Sequence, residues 1–231
     1  MRARRFTTLR FLAVIASFIT ILAHFIPVLG LLYVWTLLTS ILIMGIAFAN
    51  WRAHRDRYAF WITIGLLFSL AGDIALLQPD RYFLPGLAAF LLTHVSYLVA
   101  FTRDAKFPAH FFSWLFYLSV VGAIYIFLFA NFPQELKLPI AVYSLLLASM
   151  AAQATGRSLT LRTTSARLAA IGGLFFLISD TLLAFDRFHA SLLLSPVLIL
   201  IPYYLGQLLI ASSTRLLQAA SSKHISPRQL P

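Results

Sequence analysis

Apolar runs follow one another along almost the whole chain, separated only by short polar breaks. Each run is about 17 to 25 residues, the length a helix needs to cross the hydrocarbon core of a bilayer. Eight are readable, at about 8–27, 30–49, 59–78, 83–102, 110–130, 137–155, 167–185 and 190–212. Connections this short force neighbouring helices to run antiparallel. The expectation is therefore an all-α fold: a polytopic membrane bundle of eight transmembrane helices. It forms a single domain over residues 1–215, followed by a polar cytoplasmic tail over 216–231. Composition agrees, with 61% hydrophobic and 11% charged residues, far too little polar surface for a soluble domain. The first run is too long, and lacks a plausible cleavage site, to read as a removed signal peptide.

The charges sort by end of the bundle. Fifteen lysines and arginines fall on one end, and only Arg81, Lys137 and Arg187 on the other. Positive loops stay in the cytoplasm, so both termini are expected there. The net charge of +11 is then a topology signal with an attraction to anionic lipid headgroups, and no nucleic-acid partner is expected. A cysteine-free chain with short loops points to a bacterial inner membrane, or in a eukaryote to the endoplasmic reticulum. The absence of cysteine also excludes disulfides, zinc–thiolate sites and thiol nucleophiles.

Of the seven acidic residues, Asp56, Asp80, Asp104 and Glu135 fall in loops, where they are expected to be solvated. Asp186 lies beside Arg187, a candidate partner. Only Asp73, in "GLLFSLAGDIALL", and Asp180, in "GGLFFLISDTLLAF", are embedded in apolar runs. An aspartate at a helix centre costs about 2.5 to 3.5 kcal/mol on insertion scales, and such residues usually face the bundle interior and carry function. Both lie about 10 Å from the arginine-poor end, on helices of the same direction. They can therefore meet across one cavity, with Ser69 and Ser179 among the small residues beside them. Two carboxyls in a dry site share protons unequally, so that one serves as acid and the other as base. That is the equipment for acid-catalysed cleavage of an ether-type bond. The alternative is a pair of acids that only hydrogen-bond helices together.

The two stretches also align with each other at an offset of 107 residues, Gly65 on Gly172, Phe68 on Phe175 and Asp73 on Asp180. The same offset carries Tyr97 onto Tyr204. This suggests a parallel four-plus-four repeat with its site between the halves; coincidence in a biased composition is the alternative. Further candidate lining residues are His94 and Tyr97 on the fourth run, and Tyr203, Tyr204 and Gln207 on the eighth, where Pro202 is expected to kink the helix. A structural role in helix packing is the competing account of each. The histidines have no metal-ligand spacing, and neither a phosphate loop nor a Gly-x-Ser-x-Gly elbow occurs, so no metal or cofactor is expected.

"SLAGDIALL", "THVSYLVAF", "GGLFFLISDTLLAF" and "PYYLGQLLI", in this order, resemble the YhhN-like lysoplasmalogenase family from about residue 30 onward. One departure is visible: where many relatives open the second span with Lys-Pro, this chain reads "YVWTLL". The resemblance implies an eight-span bundle with two embedded aspartates, which map onto Asp73 and Asp180. It implies hydrolysis of the vinyl ether bond of a lysophospholipid, giving a fatty aldehyde and glycerophosphoethanolamine or glycerophosphocholine. Two other functions use embedded acids. A proton-coupled carrier suits them equally well. An intramembrane aspartyl protease shares only the "GD" pair and lacks its Tyr-Asp partner.

Overall fold

The computed structural model describes residues 2–26 and 28–221, and the side chains of residues 7–26, 28 and 30–214. Among the described residues the chain is eight α-helices with one 3₁₀ turn and no strand. The helices are α1 (Arg2–Ala23), α2 (Leu29–His54), α3 (Arg57–Leu76), α4 (Pro79–Phe101), α5 (Phe111–Leu128), α6 (Gln134–Leu161), α7 (Thr164–Phe188) and α8 (Ser195–Ser221). Seven of them are long and apolar enough to cross a membrane; in α1 the apolar stretch is shorter, Thr7–Ala23. The protein is an integral, multi-pass membrane protein.

Helix ends follow local chemistry. Asp56 caps α3 by accepting the Ala59 N–H at 3.1 Å, and Thr163 caps α7 through the Ala166 N–H at 3.2 Å. Pro79 opens α4, where a missing N–H costs nothing. Arg55 and Arg162 close α2 and α6 in the left-handed conformation. The eighth helix starts at Ser195 rather than 190, and it continues to Ser221, past the boundary expected at 215. Residues 222–231 of the expected tail lie outside the described residues.

Charge placement departs from the sequence reading at two points. The sixth helix is longer than the run 137–155 and carries Arg157 inside the bundle, fully buried. Arg157 grips Asp104 through two hydrogen bonds of 2.7 Å, so neither is a freely solvated loop charge. Next to it, the Gln153 amide donates to the Ala105 carbonyl and its oxygen accepts the Ala109 N–H, which fastens the α4–α5 connection onto α6. Asp186 does not pair with Arg187. It accepts the Leu192 N–H at 2.7 Å, and Arg187 reaches across to Asp80 at 3.7 Å.

The two halves pair their helices alike. In one, α1 packs on α2, α2 on α3 and α3 on α4; in the other, α5 packs on α6, α6 on α7 and α7 on α8. Between the halves, α2 packs on α8 and α6 on α4, which exchange under the same correspondence, whereas α8 also packs on α1 and α3 with, among the described residues, no contact of similar extent from α4 to α5 or α7. Consecutive pairing of this kind is what short connections give in any antiparallel bundle. Glycines set the closest approaches: a Cβ on Gly172 would lie 2.8 Å from the Gly206 carbonyl oxygen. Gly65 in turn packs closely on the Tyr97 ring of α4.

Candidate active site

The third and seventh helices face each other across a cavity of about 200 Å³. Both Asp73 and Asp180 line it, together with Ser179, Tyr203 and Tyr204. His24, at the end of α1, and Ser195, at the start of α8, also line it, which sets it toward the arginine-poor end. A second cavity of about 80 Å³ lies between α4, α5, α6 and α7, lined almost wholly by apolar side chains. The two share Leu76, Phe90, Asp180 and Leu183, so Asp180 stands in the wall between them.

Asp73 is buried and fully partnered. Ser40 of α2 donates to its Oδ2 and Tyr203 of α8 to its Oδ1, each at 2.5 Å. Behind Tyr203 the network continues. The Gln207 amide nitrogen donates to Ser69 and to Tyr203, Ser69 lies 2.6 Å from the Tyr203 hydroxyl, and Tyr97 donates to the Gln207 oxygen at 2.6 Å. With the Tyr203 proton on Asp73, Ser69 is the donor to Tyr203. Every hydrogen bond from Tyr97 onward then points toward the Asp73 carboxyl. Four residues expected as substrate contacts (Ser69, Tyr97, Tyr203 and Gln207) thus form one chain supporting Asp73, and of these only Tyr203 lines the large cavity.

Asp180 is held differently. Tyr143 of α6 donates to its Oδ2 at 2.5 Å, and His94 Nε2 stands 3.6 Å from the same oxygen. The His94 ring is fully buried, edge-on to Tyr143 and Phe176 with centroids 5.0 and 4.9 Å away. Ser179, beside Asp180, donates to the Ile199 carbonyl at 2.9 Å and ties α7 to α8. The two aspartates therefore occupy related settings. Each takes a hydroxyl on Oδ2, from α2 or α6, and each faces a ring on the helix that follows in the other half, Tyr203 or His94.

Ser40 and Tyr143 were not singled out in the sequence. A hydroxyl in an apolar span is too common to stand out. Among the described residues no group of three or more His, Asp or Glu is placed to hold a metal ion.

Fold and site together define an all-helical, multi-pass membrane protein with a carboxyl pair inside the bundle. The chain belongs to the YhhN family, whose model matches residues 31–214. It is similar to lysoplasmalogenase TMEM86A of Bos taurus, 32% identical over 157 residues that cover 66% of this chain and 64% of the relative. Lysoplasmalogenase TMEM86B of Sus scrofa is 33% identical over 150 residues, 64% of this chain and 60% of that one. A lysoplasmalogenase homolog of Dictyostelium discoideum is 34% identical over 84 residues, 36% of this chain and 27% of its own. The matches thus span less than two thirds of these relatives. No solved structure matches.

Proposed function

We propose that this protein hydrolyses the vinyl ether bond of lysoplasmalogen, with Asp73 and Asp180 as acid and base. The products are a fatty aldehyde and glycerophosphoethanolamine or glycerophosphocholine. One observation carries the reading: two carboxyls from distant parts of the chain line a single cavity inside the bundle, in a family whose relatives are named lysoplasmalogenases. One carboxylic acid protonates the β-carbon of the vinyl ether and leaves an oxocarbenium ion. The other, as carboxylate, stabilises that cation and takes a proton from the water that adds to it. The hemiacetal then collapses to aldehyde and alcohol.

Depth supports the assignment. The labile bond of a membrane-held lysolipid lies just below the headgroup, and carboxyls about 10 Å from the bundle end match that level. The apolar cavity beside Asp180 suits the alkenyl chain, with Phe83, Phe132 and Phe188 at its wall. Arg187 stacks on Phe83 at 4.5 Å and is set to meet the phosphate, in the leaflet at the arginine-poor end. Tyr204 and Ser179 contact the substrate from the large cavity. The arginine-rich end faces the cytoplasm of a bacterial inner membrane.

The test is aldehyde release by the purified protein in detergent, with alkenyl and acyl lysolipids compared side by side after metal chelation. Aldehyde from the alkenyl lipid alone supports the reading; turnover of the acyl lipid with none of the alkenyl lipid contradicts it.

A further inference from the structure

The two aspartates differ in what they leave free. Asp73 has both oxygens engaged by hydroxyls. Ser and Tyr hydroxyls accept as readily as they donate, so Asp73 keeps both hydrogen bonds whether or not it carries a proton. Asp180 has only Oδ2 engaged; among the described residues no donor reaches its Oδ1, on a residue that borders both cavities. Beside Oδ2 stands His94, and neither of its buried ring nitrogens has a hydrogen-bond partner. Leaving such a group unmet costs about 1 to 3 kcal/mol and asks for a reason. The groups facing Asp180 are Tyr143 from α6, His94 from α4 and, across the cavity, Asp73 from α3, Tyr203 and Tyr204 from α8 and His24 at the end of α1. Among the described residues no lysine or arginine lines either cavity. At 3.6 Å the His94–Asp180 contact is longer than a hydrogen bond, and catalytic contacts of this kind tighten when substrate binds.

From this geometry we infer that Asp180 is the base that takes the water proton at Oδ1, that His94 is the positioning residue holding it through Nε2–H, and that Asp73 supplies the proton to the vinyl ether. The inference rests on the lysoplasmalogenase reading and divides the labour within it. The Asp73 proton moves to the β-carbon as the C=C π bond breaks, giving the oxocarbenium ion. Water oxygen bonds to the cationic carbon and its proton passes to Asp180. In the collapse, the hemiacetal O–H proton returns to Asp73, the C–O bond to glycerol breaks, and the Asp180 proton passes to the departing alkoxide. Both carboxyls end as they began, and one water has been consumed.

Azide separates the two roles. It attacks an oxocarbenium ion without needing a base, giving an α-azido ether, but it does nothing for a substrate that has not been protonated. With Asp180→Ala, azide is expected to raise consumption of the alkenyl lysolipid at least about 10-fold, recovering part of the roughly 10²- to 10⁴-fold that a positioned base contributes. The azido adduct appears by mass spectrometry. With Asp73→Ala, azide gives no acceleration. His94→Phe lowers kcat about 10-fold at unchanged KM and responds to azide, whereas His94→Gln, whose amide N–H stands in for Nε2–H, keeps most of the rate. The His94 pair also carries the test if Asp180→Ala fails to fold. Azide acceleration of Asp73→Ala, no response in a folded Asp180→Ala, or equal and azide-indifferent losses in both His94 variants would overturn the assignment. An inactive wild type overturns the functional reading itself; an active wild type with the azide pattern reversed overturns only the division of roles.

Discussion

Tyr203 is the side chain on which the polar network turns, since it joins Asp73 to Ser69 and Gln207. It stabilises the carboxylate that forms as Asp73 gives up its proton, and hydrogen bonds to a charged group contribute about 1.5 to 3 kcal/mol, so Tyr203→Phe is expected to lower kcat about 10-fold or more. Tyr97→Phe, at the far end of the chain, should cost less than about threefold. Steady-state rates with both variants check the gradient, and equal losses would show that the network does not converge on Asp73. Asp73 and Asp180 were legible from sequence because a carboxylate within an apolar run has few structural excuses. The arrangement around them was not. His94 and Gln207 read as cavity-lining groups, but burial and direction are properties of the packed bundle, and only packing turns them toward Asp180 and Tyr97.

Among the helices, the α7–α8 pair rests on close backbone approach. Gly172→Ala sets a methyl 2.8 Å from the Gly206 carbonyl oxygen and is expected to destabilise by about 1 to 3 kcal/mol. Gly45→Ala, with nothing within 4 Å of the added carbon, should leave stability unchanged or slightly raised. Thermal melts in detergent compare the two. The Asp104–Arg157 pair gives a second contrast, because the arginine side chain is fully buried and the aspartate is 32% exposed. Asp104→Asn strands a buried cation, while Arg157→Met leaves an anion that water can reach, so the first variant should melt lower. Helix existence was readable from run length alone. Helix ends were less so: α6 extends past its apolar run because Arg157 finds Asp104, a partner that hydropathy does not register.

Across the whole molecule, the charge asymmetry sets the expected orientation, and the cysteine-free sequence makes it measurable. Single cysteines at Lys137 and Arg162 should label from opposite sides of a sealed vesicle, with Arg162→Cys reached from the cytoplasmic side; labelling of both from one side would contradict the topology. Gly65, Asp73, Gly172 and Asp180 keep one offset, which is the sequence signal for a parallel repeat. The same offset takes Tyr97 onto Tyr204 in the following helix, where tyrosines are frequent enough to align by chance. All of this converges on two acids sharing one hollow. The most direct test is aldehyde release from an alkenyl lysolipid by the wild type, Asp73→Asn and Asp180→Asn, each confirmed folded by size-exclusion and melting. Each asparagine variant is expected to lose about 10²- to 10⁴-fold in rate. Wild-type rates in either folded variant would contradict the account.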